Sequence, residues 1–335
     1  MKVFITNRAQ IHICGSIILV LLACGCMPDA ERDNPYDPHG QKAGETGQLT
    51  GRVTRIYPPF EGLAGVTVTL TAMDISDATD GGGYYILTNI PAGSYTVTVN
   101  TQDYASDSTE IEITAGQTQT ADFALNGLPH ILDSSITSEH SYTSSTEDQF
   151  YFNFEVQVDD PDGISDIDSV YVTVEALAFR QKLTRVINTN WYRVTISPES
   201  ITGGSLEALI GQEAVFSVWD KIGKRTDSSP QFLVRIIYPS PSTVTPNEEE
   251  KMDDRQVLVW ESFSDVVNFD FTFTVDVRTF SQGWQQKNIP SDSTSIVVTV
   301  RLDSQYPHQW SIWVVDEFGN TSKSPYVTFS IEGGN

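Results

Sequence analysis

No cysteine occurs after residue 26; the three thiols are Cys14, Cys24 and Cys26. The body of the 335-residue chain therefore has neither a disulfide framework nor a thiolate metal site, and each folding unit must rest on its hydrophobic core. Positive charge is also scarce. Lys and Arg total 20 against 44 Asp and Glu, a formal net charge of −24. Phosphate binding needs clustered Lys and Arg, so the balance excludes nucleic acid and a bare anionic membrane surface as partners. No apolar run approaches the about 20 residues of a spanning helix. Nucleophile and phosphate motifs are missing as well: there is no Gly-x-Ser-x-Gly elbow and no Gly-x-x-x-x-Gly-Lys-Ser/Thr loop. None of the 5 histidines, His12, His39, His130, His140 and His308, has Glu three residues later, so the His-x-x-Glu zinc pattern is absent. Acid pairs for glycoside hydrolysis are always on offer among so many carboxylates and single out no site. These absences point away from an enzyme.

What is present begins with a processing signal. Lys2 and Arg8 precede an apolar stretch at 11–23, short for a membrane span and right for a secretory core. It ends in Leu21-Leu22-Ala23-Cys24, which resembles the lipobox of bacterial lipoproteins. The resemblance implies cleavage after residue 23, diacylglycerol on the Cys24 sulfur, and a membrane anchor made of several acyl chains. Cys26 is the rival, with Ala23 at its −3 position. Residues 24–46 are rich in Pro, Gly and charge and read as a flexible tether. Gly25 is not the Asp that holds some lipoproteins in the inner membrane, so the expected place is the cell envelope, and the outer membrane if the organism has one.

Period-2 alternation then dominates. Val66, Val68 and Leu70 oppose Thr67, Thr69 and Thr71, and Tyr95, Val97 and Val99 oppose Thr96 and Thr98. This is the mark of half-buried antiparallel strands. Asp80-Gly-Gly-Gly83 and Pro91-Ala-Gly-Ser94 supply turns between them. Leu63 to Leu70, Asp80 to Tyr85 and Leu87 to Val99, in that order, resemble the carboxypeptidase regulatory-like domain over 47–126. The resemblance implies a small transthyretin-like β-sandwich, an accessory module and not a peptidase.

Gly127-Leu128-Pro129 reads as a boundary. Phe150, Phe152, Phe154, Val156 and Val158 alternate next, followed by Val170, Val172 and Val174 and by runs at 192–196, 213–219 and 231–237. That is an Ig-like sandwich over 129–237, with Leu206 to Ile210 as one helical turn. Tyr238 to Pro246 reads as a stiff Pro/Ser linker, and Glu248 to Asp254 as a solvated loop. Trp260, the Phe269 to Val277 alternation, and Trp310, Ile312, Val314, Asp316, Gly319 and Asn320 resemble a fibronectin type III domain over 240–333. His308 stands where that family usually has Tyr. The expected fold is all-β: tandem antiparallel β-sandwiches, one transthyretin-like and two Ig/fibronectin III-like.

Two stretches invite a ligand. Asp159, Asp160, Asp162, Asp166 and Asp168 crowd one loop, and oxygen-rich loops wrap Ca²⁺. The spacing is not that of an EF-hand, so a self-bonded Asp/Pro/Gly turn is the reading preferred, with no metal or other cofactor, and Ca²⁺ is the alternative. Phe280 and Trp284, on a loop with several Gln, could stack on sugar rings; Tyr57-Pro-Pro-Phe60 is a second aromatic loop. The expected role is non-catalytic: a lipid-anchored envelope protein acting as a spacer or protein-binding module. A carbohydrate-binding surface lipoprotein is the alternative, and the expected partners are other envelope proteins or polysaccharide.

Overall fold

A computed structural model describes residues 46–332 apart from 74, 143–146, 202, 254–255 and 281–282. The signal, Cys24 and Cys26 lie outside the described residues. Among those described, every long element is a strand; three single turns of 3₁₀-helix interrupt them, one at Leu206–Leu209. No helix of the described residues is long and apolar enough to cross a membrane.

Three separate hydrophobic cores form among the described residues. The first lies between two sheets. In one, strand Thr46–Arg55 pairs antiparallel with Tyr84–Pro91 and parallel with Thr118–Thr120 and Phe123–Leu125. The other runs in the order Ile75–Ala78, Thr67–Leu70, Gly93–Asn100, Asp107–Ile113. The valines at 66, 68, 97 and 99 are fully buried with Leu49, Val53, Leu70 and Ile90, and the intervening threonines face outward or stay half-buried. Apolar residues two apart share a face of a strand, so the alternation dictates which side is core.

The second core sits between a sheet containing Trp191–Ile196, Asp148–Asp159 and His130–Tyr142 and one containing Phe179–Lys182, Ile167–Val174, Val215–Asp220 and Arg225–Asp227. Phe152, Phe154, Val156 and Val158 point inward from one side, and Val170, Val172, Val174, Phe216 and Val218 from the other. Residues 231–234 alternate, with Leu233 buried and Phe232 and Val234 exposed, but the period breaks where Ile236 and Ile237 are both buried, and the segment forms only isolated bridges to Ala214 and Ile210. The hydrophobic face is there; continuous ladder pairing is not.

The third core centres on Trp260, Phe273, Trp310, Ile312 and Phe329. Trp310 is fully buried and its indole Nε1 donates to Pro246 O at 2.9 Å. His308 is also buried, and its Nε2 donates to Asp303 O at 2.7 Å, so the imidazole ties the strand to the preceding loop. The acidic stretch 248–254 is not all loop. Glu250–Met252 pairs in parallel with Val327–Ile331, because Met252 is buried in the third core and pulls its neighbours onto the sheet edge.

The second and third sandwiches are joined by a ladder. Thr321–Lys323 pairs antiparallel with His308–Asp316 of its own sandwich and parallel with Glu139 and His140 of the second, giving one sheet of ten strands. The Pro/Ser segment is packed along its length. Tyr238 donates to Glu207 Oε1 at 2.6 Å, Ser240 Oγ lies 3.2 Å from His140 Nδ1, and Thr243–Thr245 pairs with Val257–Trp260. Composition predicts a spacer there; burial of Ile237 in the third core and these bonds fix it instead.

Candidate functional site

The loop after strand Asp148–Asp159 turns back through Asp160-Pro-Asp-Gly. Its own hydrogen bonds shape it: Gly163 N donates to Asp160 O, Asp162 N to Asp160 Oδ1 at 2.7 Å, and Asp166 N to Gly163 O. So far this is a self-bonded turn. The turn also gathers carboxylates. One oxygen each of Asp160, Asp162 and Asp166 lies within 4.8 Å of the others. Asp159 and Asp168 are exposed and outside the group.

The first sandwich closes over this group. Tyr57 donates to Asp166 Oδ1 at 2.7 Å, and Gly127 N donates to Asp162 Oδ2 at 2.6 Å. Arg55 Nη1 donates to Pro161 O. Asn126 Nδ2 donates to Asp220 Oδ2 at 2.6 Å, while Asp220 Oδ1 accepts from Ile222 N and Lys224 N. Asp160, Asp166, Asp220 and Asn126 are 4%, 3%, 2% and 5% exposed. Four oxygens are sealed from solvent and accept no hydrogen bond: Asn126 Oδ1, Asp160 Oδ2, Asp162 Oδ1 and Asp166 Oδ2.

The electrostatics follow. Burial, and then the negative charges of Asp166, Asp162 and Asp220 working against the bond from Asp162 N, push the Asp160 carboxyl up to about 7. Burial likewise raises Asp162. Two like charges at such a separation repel by roughly 3 kcal/mol at an effective dielectric of about 20. Tyr57 is raised to about 12 because its hydroxyl donates to Asp166. The aromatic loop at 57–60 is thus part of this junction through Tyr57, and Phe60 is left outward-facing with the two prolines.

The other aromatic candidates separate. Trp284 is 8% exposed and donates from Nε1 to Thr299 Oγ1 at 3.0 Å; it belongs to the third core and offers no stacking face. A strand residue at a core-facing register position is buried whatever its loop composition suggests. Phe280 is 82% exposed and stacks on Tyr306, centroids 5.0 Å apart and planes 21° apart. Tyr306 is 26 positions from Phe280, and no local sequence pattern links the two.

A third cluster has the atom types of a nucleophile triad. His140 Nδ1 lies 3.2 Å from Ser240 Oγ and 3.1 Å from Ser322 Oγ, and its Nε2 lies 3.3 Å from Asp148 Oδ2. But the ring is buried and stacked on Phe150 at 4.2 Å, and burial lowers its pKa. Ser240 is also 3.2 Å from the Tyr142 hydroxyl, and Ser322 is fully buried. A general base needs access to substrate, so the cluster reads as glue between two sandwiches.

Comparison with known proteins bears on the first sandwich. Residues 48–126 match the carboxypeptidase regulatory-like domain. The match spans the strands that make the first core and ends at Asn126, the residue that reaches Asp220. A search of curated proteins returns no match. Among solved structures, a chain of a type II cohesin–X-dockerin complex from Acetivibrio cellulolyticus is 20% identical with a TM-score of 0.22. That alignment covers 24% of this chain and 58% of the other, so this chain spans little more than half of that protein. The major pilin subunit BcpA of Bacillus cereus is 11% identical, covering 84% of this chain and 94% of its own, at TM-score 0.31. The FN1–FN3 domains of chicken CNTN1 are 7% identical, covering 82% and 93%, also at 0.31.

Proposed function

We propose that this chain is a non-catalytic, lipid-anchored protein of the cell envelope whose sandwiches form a stiff arm that holds a binding surface away from the membrane. The observation that carries the reading is the joining of the second and third sandwiches into one ten-stranded sheet, with the first hydrogen-bonded onto the second at Asn126, Gly127 and Tyr57. A freely jointed string would leave these backbone edges and polar groups in water. The net charge of −24 keeps such an arm soluble and repelled from anionic headgroups. The lipid attachment rests on the Leu21-Leu22-Ala23-Cys24 sequence, and Gly25 in the position of an inner-membrane Asp supports the outer membrane as its location in a two-membrane cell.

Intact mass and detergent partitioning of the wild type against Cys24→Ala, expressed in a bacterium, test the anchor. An acyl adduct and transfer to detergent that both vanish in the variant support it. A water-soluble, unmodified wild type overturns it.

A carbohydrate-binding surface lipoprotein is the second reading, supported by the exposed Phe280–Tyr306 ring pair. Affinity electrophoresis in gels containing envelope and plant polysaccharides checks it: retardation that Phe280→Ala abolishes supports sugar stacking, and equal mobility in every gel removes it.

A further inference from the structure

The carboxylate group at the first junction is built for a cation. Three carboxylates bring one oxygen each within 4.8 Å of the others, and four sealed oxygens there and beside it accept nothing. Every one of the four is an acceptor. A water molecule has only two protons to give, and protonating one carboxyl supplies one more. Arg55, whose charge acts on Asp162, is engaged by Pro161 O and lies 3.6 Å from Glu61. A cation satisfies the three carboxylate acceptors together and cancels their mutual repulsion; Asn126 stands beside them, next to Gly127, whose N–H is bonded to Asp162.

The geometry points to a Ca²⁺ site held by Asp160, Asp162 and Asp166 of the second sandwich and by the Asn126 carboxamide oxygen of the first, so that the metal clamps the two sandwiches together. Three features choose the ion. All donors are oxygens, which suits hard cations and not zinc or copper. Ca²⁺ accepts an irregular set of oxygens at about 2.4 Å, which three carboxylates from one turn and an amide from another element offer, whereas Mg²⁺ demands near-ideal octahedral placement at about 2.1 Å. The remaining oxygens are already tied by Asp162 N, Gly127 N and Tyr57, which orients each carboxylate as outer-shell bonds do around metal ligands. Asp220 is a positioning residue: it holds the Asn126 amide nitrogen and so turns the carboxamide. The inference does not depend on the lipid anchor, since it concerns only residues 55–220 and is read in solution.

Calorimetric titration of the EDTA-treated full-length protein with CaCl₂, and separately with MgCl₂, tests it. One Ca²⁺ per chain is expected, with a Kd of ~10⁻⁴ M or tighter and much weaker Mg²⁺ binding. Asp160→Asn and Asp166→Asn weaken binding at least about tenfold, and Asn126→Ala weakens it less, by roughly three- to tenfold. Asp159→Asn and Asp168→Asn, whose side chains lie outside the group, leave it unchanged. Thermal melts separate this from misfolding. Without metal, Asp160→Asn melts at or above the wild-type temperature, because a repelling charge is gone; with excess Ca²⁺ the order reverses. Absence of saturable binding up to about 10 mM Ca²⁺ overturns the site, as does equal loss of affinity in the Asp159 and Asp160 variants.

Discussion

The Asn320 carboxamide serves two sandwiches. Its Oδ1 accepts from Ser138 N at 2.8 Å, and its Nδ2 donates to Asp316 Oδ2 at 2.9 Å. Asp316 in turn accepts from Phe318 N and Asn320 N. Residues that resemble a family signature in the sequence thus form the clasp between neighbours. Asn320→Ala strands the buried Ser138 N–H and leaves Asp316 Oδ2 only the Arg235 guanidinium at 3.6 Å, and is expected to cost about 2 kcal/mol, read by urea unfolding. A loss below about 0.5 kcal/mol would sink the clasp.

His140 gives a pH dependence. Burial lowers its pKa, against the Asp148 carboxylate 3.3 Å away, which raises it. Lys323 and Glu139, paired with each other on the adjoining strands, are the other charges nearby. With the folded pKa below 6.5, the unfolded chain takes up a proton that the folded ring refuses. Stability from this group is therefore full above about pH 6.5 and falls as pH drops below it. Melting temperatures at pH 7.5 and 5.0 should differ less in His140→Gln than in the wild type; an unchanged difference removes His140 as the cause.

At the scale of elements, strand patterns were legible and their partners were not. Val66-Thr-Val-Thr-Leu70 and the Phe152 to Val158 run announce their buried faces by period alone, because a strand's two sides are fixed by backbone geometry. The Asp160 turn was equally legible as a turn. Its conversion into a cation pocket needs Tyr57, Asn126 and Asp220, which arrive from other strands through long-range pairing that leaves no local trace. The Pro/Ser segment misled for the converse reason: composition reports chain stiffness, but the docking of Ile237, Tyr238 and Ser240 is tertiary. Linker geometry makes its own prediction. A methyl at Gly127 would meet Pro161 Cβ at 3.0 Å and Asp160 Oδ1 at 3.1 Å. Gly127→Ala should push the linker off the acidic loop, lowering stability by about 1–2 kcal/mol and increasing protease cutting at 126–129. Unchanged cutting would show that the close approach is dispensable.

Across the whole molecule, the two junctions differ in kind. The first is made by side chains and a short linker, the second by a shared β-ladder with a buried polar network. Scanning calorimetry should therefore show the second and third sandwiches unfolding in one transition, with the first separable from them. Asn320→Ala should split the shared transition, whereas Gly127→Ala should move only the first. Three independent transitions in the wild type would contradict a shared ladder.

Strand His130–Tyr142 touches both junctions. His130 Nε2 lies 3.3 Å from Asp103 of the first sandwich, and further along the same 13-residue strand Glu139 and His140 pair with Thr321–Lys323 of the third. If the chain is held at one end and pulled at the other, tension passes into this strand. It is gripped along nearly its whole length by Asp148–Asp159, so extension must shear many ladder bonds together instead of peeling them singly. Single-molecule pulling should show the arm resisting as one spring, with the first sandwich yielding at a lower force than the fused pair.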